Sequence, residues 1–312
     1  MPLRVRLANT WFRAAEDLSY ITRDNPIFEG PKNRKILDKI NKKIVALHFS
    51  AGAKNYQALG GIQREIAFQL AEWADLPQPA SEAPLSVLEI GCGTGNLTGF
   101  LLDKIRPGFY LGLDLARGML ETAAGNPDSR EDRVRLIQAD GEKLPFRAES
   151  FDLVASSTTF QWFGSLEDSL AGINRVLRPG GSLLAATLGG ETFRELREAY
   201  RTIAGRMGIT LTTSRYGPPL PEAQELKDSL NRAGFRRISL QRSTKYEYFP
   251  GAAQFMRSIK KRGANNPNYR PMSLAVERRF MKEVLELYEQ RFRSDGQVYA
   301  GYEVLFLQCR KE

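Results

Sequence analysis

Short apolar runs recur along the middle of the chain, each closed by an acid or a glycine-rich turn. Val87-Leu88-Glu89-Ile90 ends at Gly91, and Tyr110-Leu111-Gly112-Leu113 ends at Asp114. Val134 to Asp140, Phe151 to Ser157 and Ser182 to Leu188 repeat the pattern. Runs this short, bounded by turn residues, predict buried strands. Segments of helical period alternate with them. Asn96 to Ile105 places Leu97, Phe100, Leu101 and Ile105 on one face, and Ala116 to Ala124 and Leu166 to Val176 read as further helices. The second of these is stopped by Arg178-Pro179-Gly180-Gly181. Such alternation predicts an α/β fold with a mostly parallel, doubly wound sheet. Gly234-Phe235 to Leu240 and Tyr299 to Cys309 supply two late strands.

Ahead of the first strand, Ile44 to Trp73 carries Phe49, Tyr56, Ile62, Ile66, Phe68 and Leu70 at roughly helical spacing, with Gly60-Gly61 as a break. A Pro/Ala/Ser/Glu stretch, Pro77 to Pro84, then reads as a linker. The chain therefore divides into three parts. Residues 1–43 form a basic N-terminal extension, with ten Lys or Arg against five acids. Residues 44–84 are helices and linker covering the ligand site, and residues 85–312 form the main domain, with a substrate-side helical insertion at about 200–295.

Composition narrows the class. At 312 residues, 42% hydrophobic and 26% charged, the chain suits a globular fold of one large domain with additions. No apolar run reaches the length of a membrane span. Cys92 and Cys309 lie far apart and form no disulfide framework or metal pattern, which fits a reducing cytoplasm. His48 is the only histidine, so a histidine-centred triad or a His-rich metal site is not expected. The net charge of +9 favours acidic partners without naming one.

The candidate chemistry sits at strand ends. In Glu89-Ile90-Gly91-Cys92-Gly93-Thr94-Gly95 the spacing is G-x-G-x-G rather than the dinucleotide G-x-G-x-x-G. Glycines there let the backbone take positive φ and let a ligand approach closely. The Glu89 carboxylate would repel a pyrophosphate and suit a cation or a hydroxyl-rich ligand. Asp114 follows Gly91 at about the separation of a ribose-binding acid in a mononucleotide fold. Capping of the next helix is a compatible role for it. Asp140 closes the third strand, as a ligand acceptor or as a loop acid.

The Glu89 to Gly95 string resembles the first motif of class I S-adenosylmethionine (SAM) methyltransferases. That resemblance implies a Rossmann-like, doubly wound, seven-stranded sheet, mostly parallel, with its last strand antiparallel. It implies SAM as cofactor, with Glu89 near the cationic methionine end, Asp114 at the ribose and Asp140 accepting from the adenine amino group. Gly91, Gly93, Gly95, Leu115, Gly141 and Ser156 complete the implied cofactor site.

Four further stretches are similar to the BioC family, which methylates the free carboxylate of malonyl-acyl carrier protein. They are His48 to Tyr56 followed by Gln63; Phe160-Gln161-Trp162; Thr187 to Leu196; and Met256 to Ala264. Tyr302 to Phe306 also fits. A sister family, the mitochondrial arginine hydroxylase that assists complex I assembly, shares the Gly189-Gly190-Glu191-Thr192 and Arg232-Ala233-Gly234-Phe235 patterns. The resemblance implies substrate-side roles for Tyr56 and Trp162 and no general base. It offers Arg194 and Arg257 as partners for the substrate carboxylate. Arg257, Lys260, Lys261, Arg262 and Arg270 form a basic cluster that would steer an acidic acyl carrier protein. Neighbouring Phe255 and Tyr269 also permit a nucleic-acid reading, but no RNA-binding motif accompanies them.

Overall fold

The computed structural model describes residues 40–76, 84–126, 131–211, 220–267 and 272–312. Most of the basic N-terminal extension, the Pro77 linker, Tyr269 and Arg270 lie outside these residues. From Ile40 onward the chain forms one unit.

Two helices open it, α1 (Lys42–Leu59) and α2 (Gly61–Trp73), parted at Gly60. The Asn41 side chain caps α1 by accepting from the Ile44 N–H at 3.2 Å. The first Rossmann-like half follows as β1 (Ser86–Ile90), α3 (Asn96–Leu102), β2 (Phe109–Asp114), α4 (Arg117–Ala123) and β3 (Val134–Gln138). The second runs through β4 (Phe151–Ser157), a 3₁₀ turn (Phe160–Trp162), α5 (Leu166–Val176) and β5 (Leu177–Leu188). The remainder is α6 (Arg194–Met207), α7 (Ala223–Arg232), β6 (Phe235–Phe249), α8 (Ala252–Lys261), α9 (Leu274–Arg291), the short β7 (Arg293–Ser294) and β8 (Gln297–Lys311).

The strand order is β3-β2-β1-β4-β5-β8-β6, with β7 hairpinned onto β8. The five strands β1 to β5 pair in parallel, whereas β8 is antiparallel to both β5 and β6. Order reverses between β1 and β4, which places a ligand crevice at the carboxyl ends of those strands. Side chains alternate between two cores. Val87, Tyr110, Leu153 and Leu184 pack on the α2, α3 and α9 side, and Leu88, Ile90, Leu113 and Leu183 pack on the α5 and α7 side.

Two elements differ from the sequence reading for physical reasons. The Arg178 to Gly181 turn is a bulge inside β5, because Leu177 still pairs with Phe151 before the register resumes at Leu153 and Ser182. Strand β6 extends to Phe249 rather than stopping near Leu240, and it lies within the stretch expected to be a helical insertion. Its second half reads as polar because it is an edge strand, held along its whole length by β8.

Candidate active site

Strand β1 delivers the chain to the crevice and the glycine loop turns it away sharply. The Gly91 and Cys92 N–H groups both donate to the Leu113 carbonyl, at 2.7 and 3.0 Å, which pins the loop to the end of β2. Gly91, Gly93 and Gly95 have φ of 70°, 55° and 89°. A Cβ built on Gly91 would strike Thr159 at 2.1 Å, while one built on Gly93 meets nothing within 4 Å. Gly93 thus faces open space, at the edge of a cavity that it lines with Asp114, Leu115 and Ala116.

Asp114 is the loop's anchor. One carboxylate oxygen accepts from the Gly93 N–H at 2.9 Å and the other from the Ala116 N–H at 2.7 Å. With the Leu115 N–H also acting on it, the carboxylate keeps part of its acceptor capacity for a ligand. Burial raises the Asp114 pKa, and the backbone donors oppose that rise. At the other end of the cavity, Asp140 Oδ1 accepts from the Glu142 N–H at 3.0 Å and from Lys42 Nζ at 2.7 Å. Helix α1 roofs the cavity with Val45, Ala46, Phe49 and Tyr56. It lies so close to α4 that a Cβ on Gly118 would come within 2.5 Å of the Ser50 carbonyl oxygen. Phe49 packs edge-on against Trp162 at 5.2 Å and against Tyr56 at 6.2 Å. Burial raises the Tyr56 pKa, so the side chain is a phenol at neutral pH, hydrogen-bonded to Thr158.

A nucleoside fits this chemistry. Asp114 offers acceptor capacity to vicinal hydroxyls, and the cavity's lining carries the acids Asp114 and Asp140, with its lysine, Lys42, already paired to Asp140 and Glu142 rather than free for a phosphate. The Ser157 hydroxyl, beside the cavity, is buried without a partner.

A methyltransferase domain family matches residues 88–185. A malonyl-[acyl-carrier protein] O-methyltransferase of Acetivibrio thermocellus is 34% identical over 282 residues, spanning 88% of this chain and 95% of that one. Its counterpart in Priestia megaterium is 33% identical over 278 residues, spanning 87% and 98%. The chain belongs to the malonyl-[acyl-carrier protein] O-methyltransferase family. The crystal structure of a methyltransferase-like protein from Bacillus halodurans has the same fold, with a TM-score of 0.55 at 18% identity over 79% of this chain and 99% of that one. The family's cofactor is SAM.

Within this family member the residues singled out from sequence take different places. Gly91, Gly93, Asp114, Leu115, Asp140, Gly141, Tyr56 and Trp162 line the cavity. Glu89 does not. It lies beneath the loop, 1% exposed, and Oε2 accepts from Thr98 and Tyr110 hydroxyls at 2.5 and 2.6 Å. Its expected place beside the methionine end is corrected to one behind the loop. Gly95 caps α3 and lies off the cavity. The Ser156 hydroxyl is turned inward, donating to the Ile90 carbonyl at 2.8 Å, and its neighbour Ser157 lines the cavity instead.

The arginine candidates are also displaced. Arg194 is 69% exposed beside Glu191, and Arg257 is exposed on α8; neither lines the cavity, so neither meets a carboxylate there in this geometry. Arg262 leaves the expected basic face altogether. It is 1% exposed and pairs with Glu247 at 3.0 Å. Phe255 is fully buried, which removes it from any base-stacking surface.

Sequence reasoning missed Lys42, Phe49, Ser157 and Thr158. Lys42 was counted with the basic extension. Thr158 carries a signal only in the backbone, a φ of 53° that a β-branched residue rarely adopts. Strain of this kind gathers at ligand sites.

Proposed function

We propose that the protein transfers a methyl group from SAM to the free carboxylate of a malonyl group carried on an acyl carrier protein, in the cytoplasm, as a step of biotin synthesis. The observation that carries this reading is the relationship to enzymes of that name over 88% and 87% of this chain and nearly all of theirs. The cavity supports it. Asp114 would hold the ribose hydroxyls, Asp140 the adenine amino group, and Gly91, Gly93, Leu115 and Gly141 the surface against which the cofactor lies. Glu89 supports the loop from behind. Relatives named for O-methylation of a malonyl carrier do not favour side-chain hydroxylation, and that reading is set aside.

When bound, SAM supplies an electrophilic methyl group on a sulfonium. A malonyl carboxylate, with a reference pKa of about 4, is already an anionic nucleophile at neutral pH. The chain therefore needs no general base. His48 agrees with this: it does not line the cavity, and burial followed by the nearby Lys260 charge lowers its pKa. What remains is to align the reacting atoms and exclude water, worth on the order of 7–11 kcal/mol. Phe49, Trp162 and the α1 roof would exclude water, and the Tyr56 phenol would donate to the acceptor carboxylate. Arg257, Lys260 and Lys261, exposed on α8, would steer the acidic carrier.

The test compares acceptors. Malonyl-carrier should be methylated, acetyl-carrier, which lacks the free carboxylate, should not, and an arginine-bearing protein should not. Equal labelling of acetyl-carrier would overturn the assignment.

A further inference from the structure

Lys42, the first residue of α1, reaches across the cavity mouth to the β3 end. Its ammonium is 2.7 Å from Asp140 Oδ1, pairs with Glu142 Oε2, and lies over the Phe163 ring at 5.4 Å. All of these groups are largely shielded, with side-chain exposures of 24%, 27% and 16% for Lys42, Asp140 and Glu142. The other Glu142 oxygen is taken by the Ser165 N–H at 2.9 Å, at the start of α5. Asp140 Oδ1 is taken by Lys42 and by the Glu142 N–H. Asp140 Oδ2 carries none of these bonds and is the acceptor left for a ligand.

We propose that Lys42 is a specificity-determining residue of the cofactor site. It fixes Asp140 as a pure hydrogen-bond acceptor, so that the site takes a 6-amino purine and rejects a 6-oxo purine. This rests on Asp140 being the adenine acceptor. The physical reason is that two carboxylates, Asp140 and Glu142, are held side by side by one cation. Without it, like charges push Asp140 from its place. With it, Asp140 Oδ1 and both Glu142 oxygens are committed, Oδ2 is left as the acceptor, and two of the three ammonium N–H groups are spent on the carboxylates rather than offered to a 6-oxo group. A donor amine then meets an acceptor, whereas a carbonyl meets a second acceptor. A site built to pair a polar group discriminates strongly against the analogue that leaves it unpaired. Because Lys42 is in α1, the same contact fastens the roof to the purine end of the cavity.

The experiment is calorimetric binding of S-adenosylhomocysteine and of S-inosylhomocysteine, its 6-oxo analogue, to the wild type and to Lys42→Met, Lys42→Arg and Asp140→Asn. Each variant is first checked for cooperative thermal unfolding. Lys42→Met should weaken the adenosyl ligand about tenfold while changing the inosyl ligand by less than about threefold, so that discrimination collapses. Lys42→Arg, which keeps the charge and two donors, should restore most of it. An equal loss for both ligands in Lys42→Met would reduce Lys42 to a packing role and overturn the proposal. If Asp140→Asn loses discrimination while Lys42→Met keeps it, Lys42 fails and Asp140 stands. If Asp140→Asn keeps full discrimination, the adenine-acceptor reading itself fails, and the inference with it.

Discussion

The Tyr110 phenol donates to Glu89 Oε2 at 2.6 Å, across two adjacent parallel strands and wholly beneath the glycine loop. The pair explains why an acid ends an apolar strand. Glu89 is paired with hydroxyls rather than with a cation, so burial dominates and its pKa is pushed up to about 7, with the Asp114 charge adding to the rise. The loop therefore rests on a carboxyl group that titrates near neutrality.

A pH dependence of stability follows. The folded-state pKa of Glu89 lies above the ordinary 4.5, so the folded state binds the proton more tightly than the unfolded chain. The contribution is full below about pH 4.5 and is lost as pH rises through about 7. Its size is on the order of 3 kcal/mol. Urea unfolding of wild type and Glu89→Gln at about pH 4.5 and pH 8 should show the variant gaining relative stability by that order as pH rises. A difference independent of pH would show that Glu89 titrates normally.

Asp114→Ala removes the acceptors for two backbone donors, Gly93 in the loop and Ala116 at the start of α4, and for the ribose. The dissociation constant for S-adenosylhomocysteine should rise by about ten- to a hundredfold, the range of one charge-assisted hydrogen bond. Asp114→Asn, with one carbonyl oxygen left, should fall between. Unchanged calorimetric affinity in the alanine variant would remove Asp114 from the ribose site.

The two loop glycines that line the cavity, Gly91 and Gly93, should respond differently to alanine. Gly91 has both a positive φ and Thr159 in the way, so Gly91→Ala should destabilise by roughly 2 kcal/mol or more. Gly93 has the positive φ alone, which costs about 1 kcal/mol. Gly93→Ala should instead weaken cofactor binding, because its new methyl group points into open space. Thermal melts and calorimetry on both variants check the order; equal melting points would contradict it.

Arg262 and its neighbours Lys260 and Lys261 should separate structure from encounter. Arg262→Met leaves Glu247 and the Tyr302 hydroxyl without their buried guanidinium, and should cost about 3–5 kcal/mol. Charge reversal at exposed Lys260 and Lys261 should leave stability within about 0.5 kcal/mol. It should slow association with an acidic carrier at low salt, an effect that fades as salt rises. Stopped-flow association rates over a salt series decide this, and a rate unaltered at low salt would leave the two lysines as solvated surface.

Much of the fold is legible in the sequence because strands β1, β2, β4 and β5 are largely buried on both faces and read as apolar runs, while Asp114 and Asp140 mark where β2 and β3 stop. The same logic exposes Asp114 and Asp140, whose positions follow from where a strand must stop. It fails where a residue's neighbour is distant in the chain. Nothing around Arg262 signals that Glu247 and Tyr302 await it, so it reads as one more charge in a basic run. Lys42 looks like the tail of a basic extension until α1 is laid over β3. Glu89 and Ser156 are correctly placed at strand ends, but the alternation of the pleat turns their side chains away from the cavity, and that parity is hard to read through a run that is apolar on both faces.

The most direct measurement follows the methyl group itself. The protein is incubated with methyl-labelled SAM and malonyl-carrier, and the carrier is isolated and treated with mild base. Label should appear on the carrier and be released by base as methanol, as a carboxyl methyl ester requires. Intact SAM binding with no label on the carrier, or label that resists base, would contradict it.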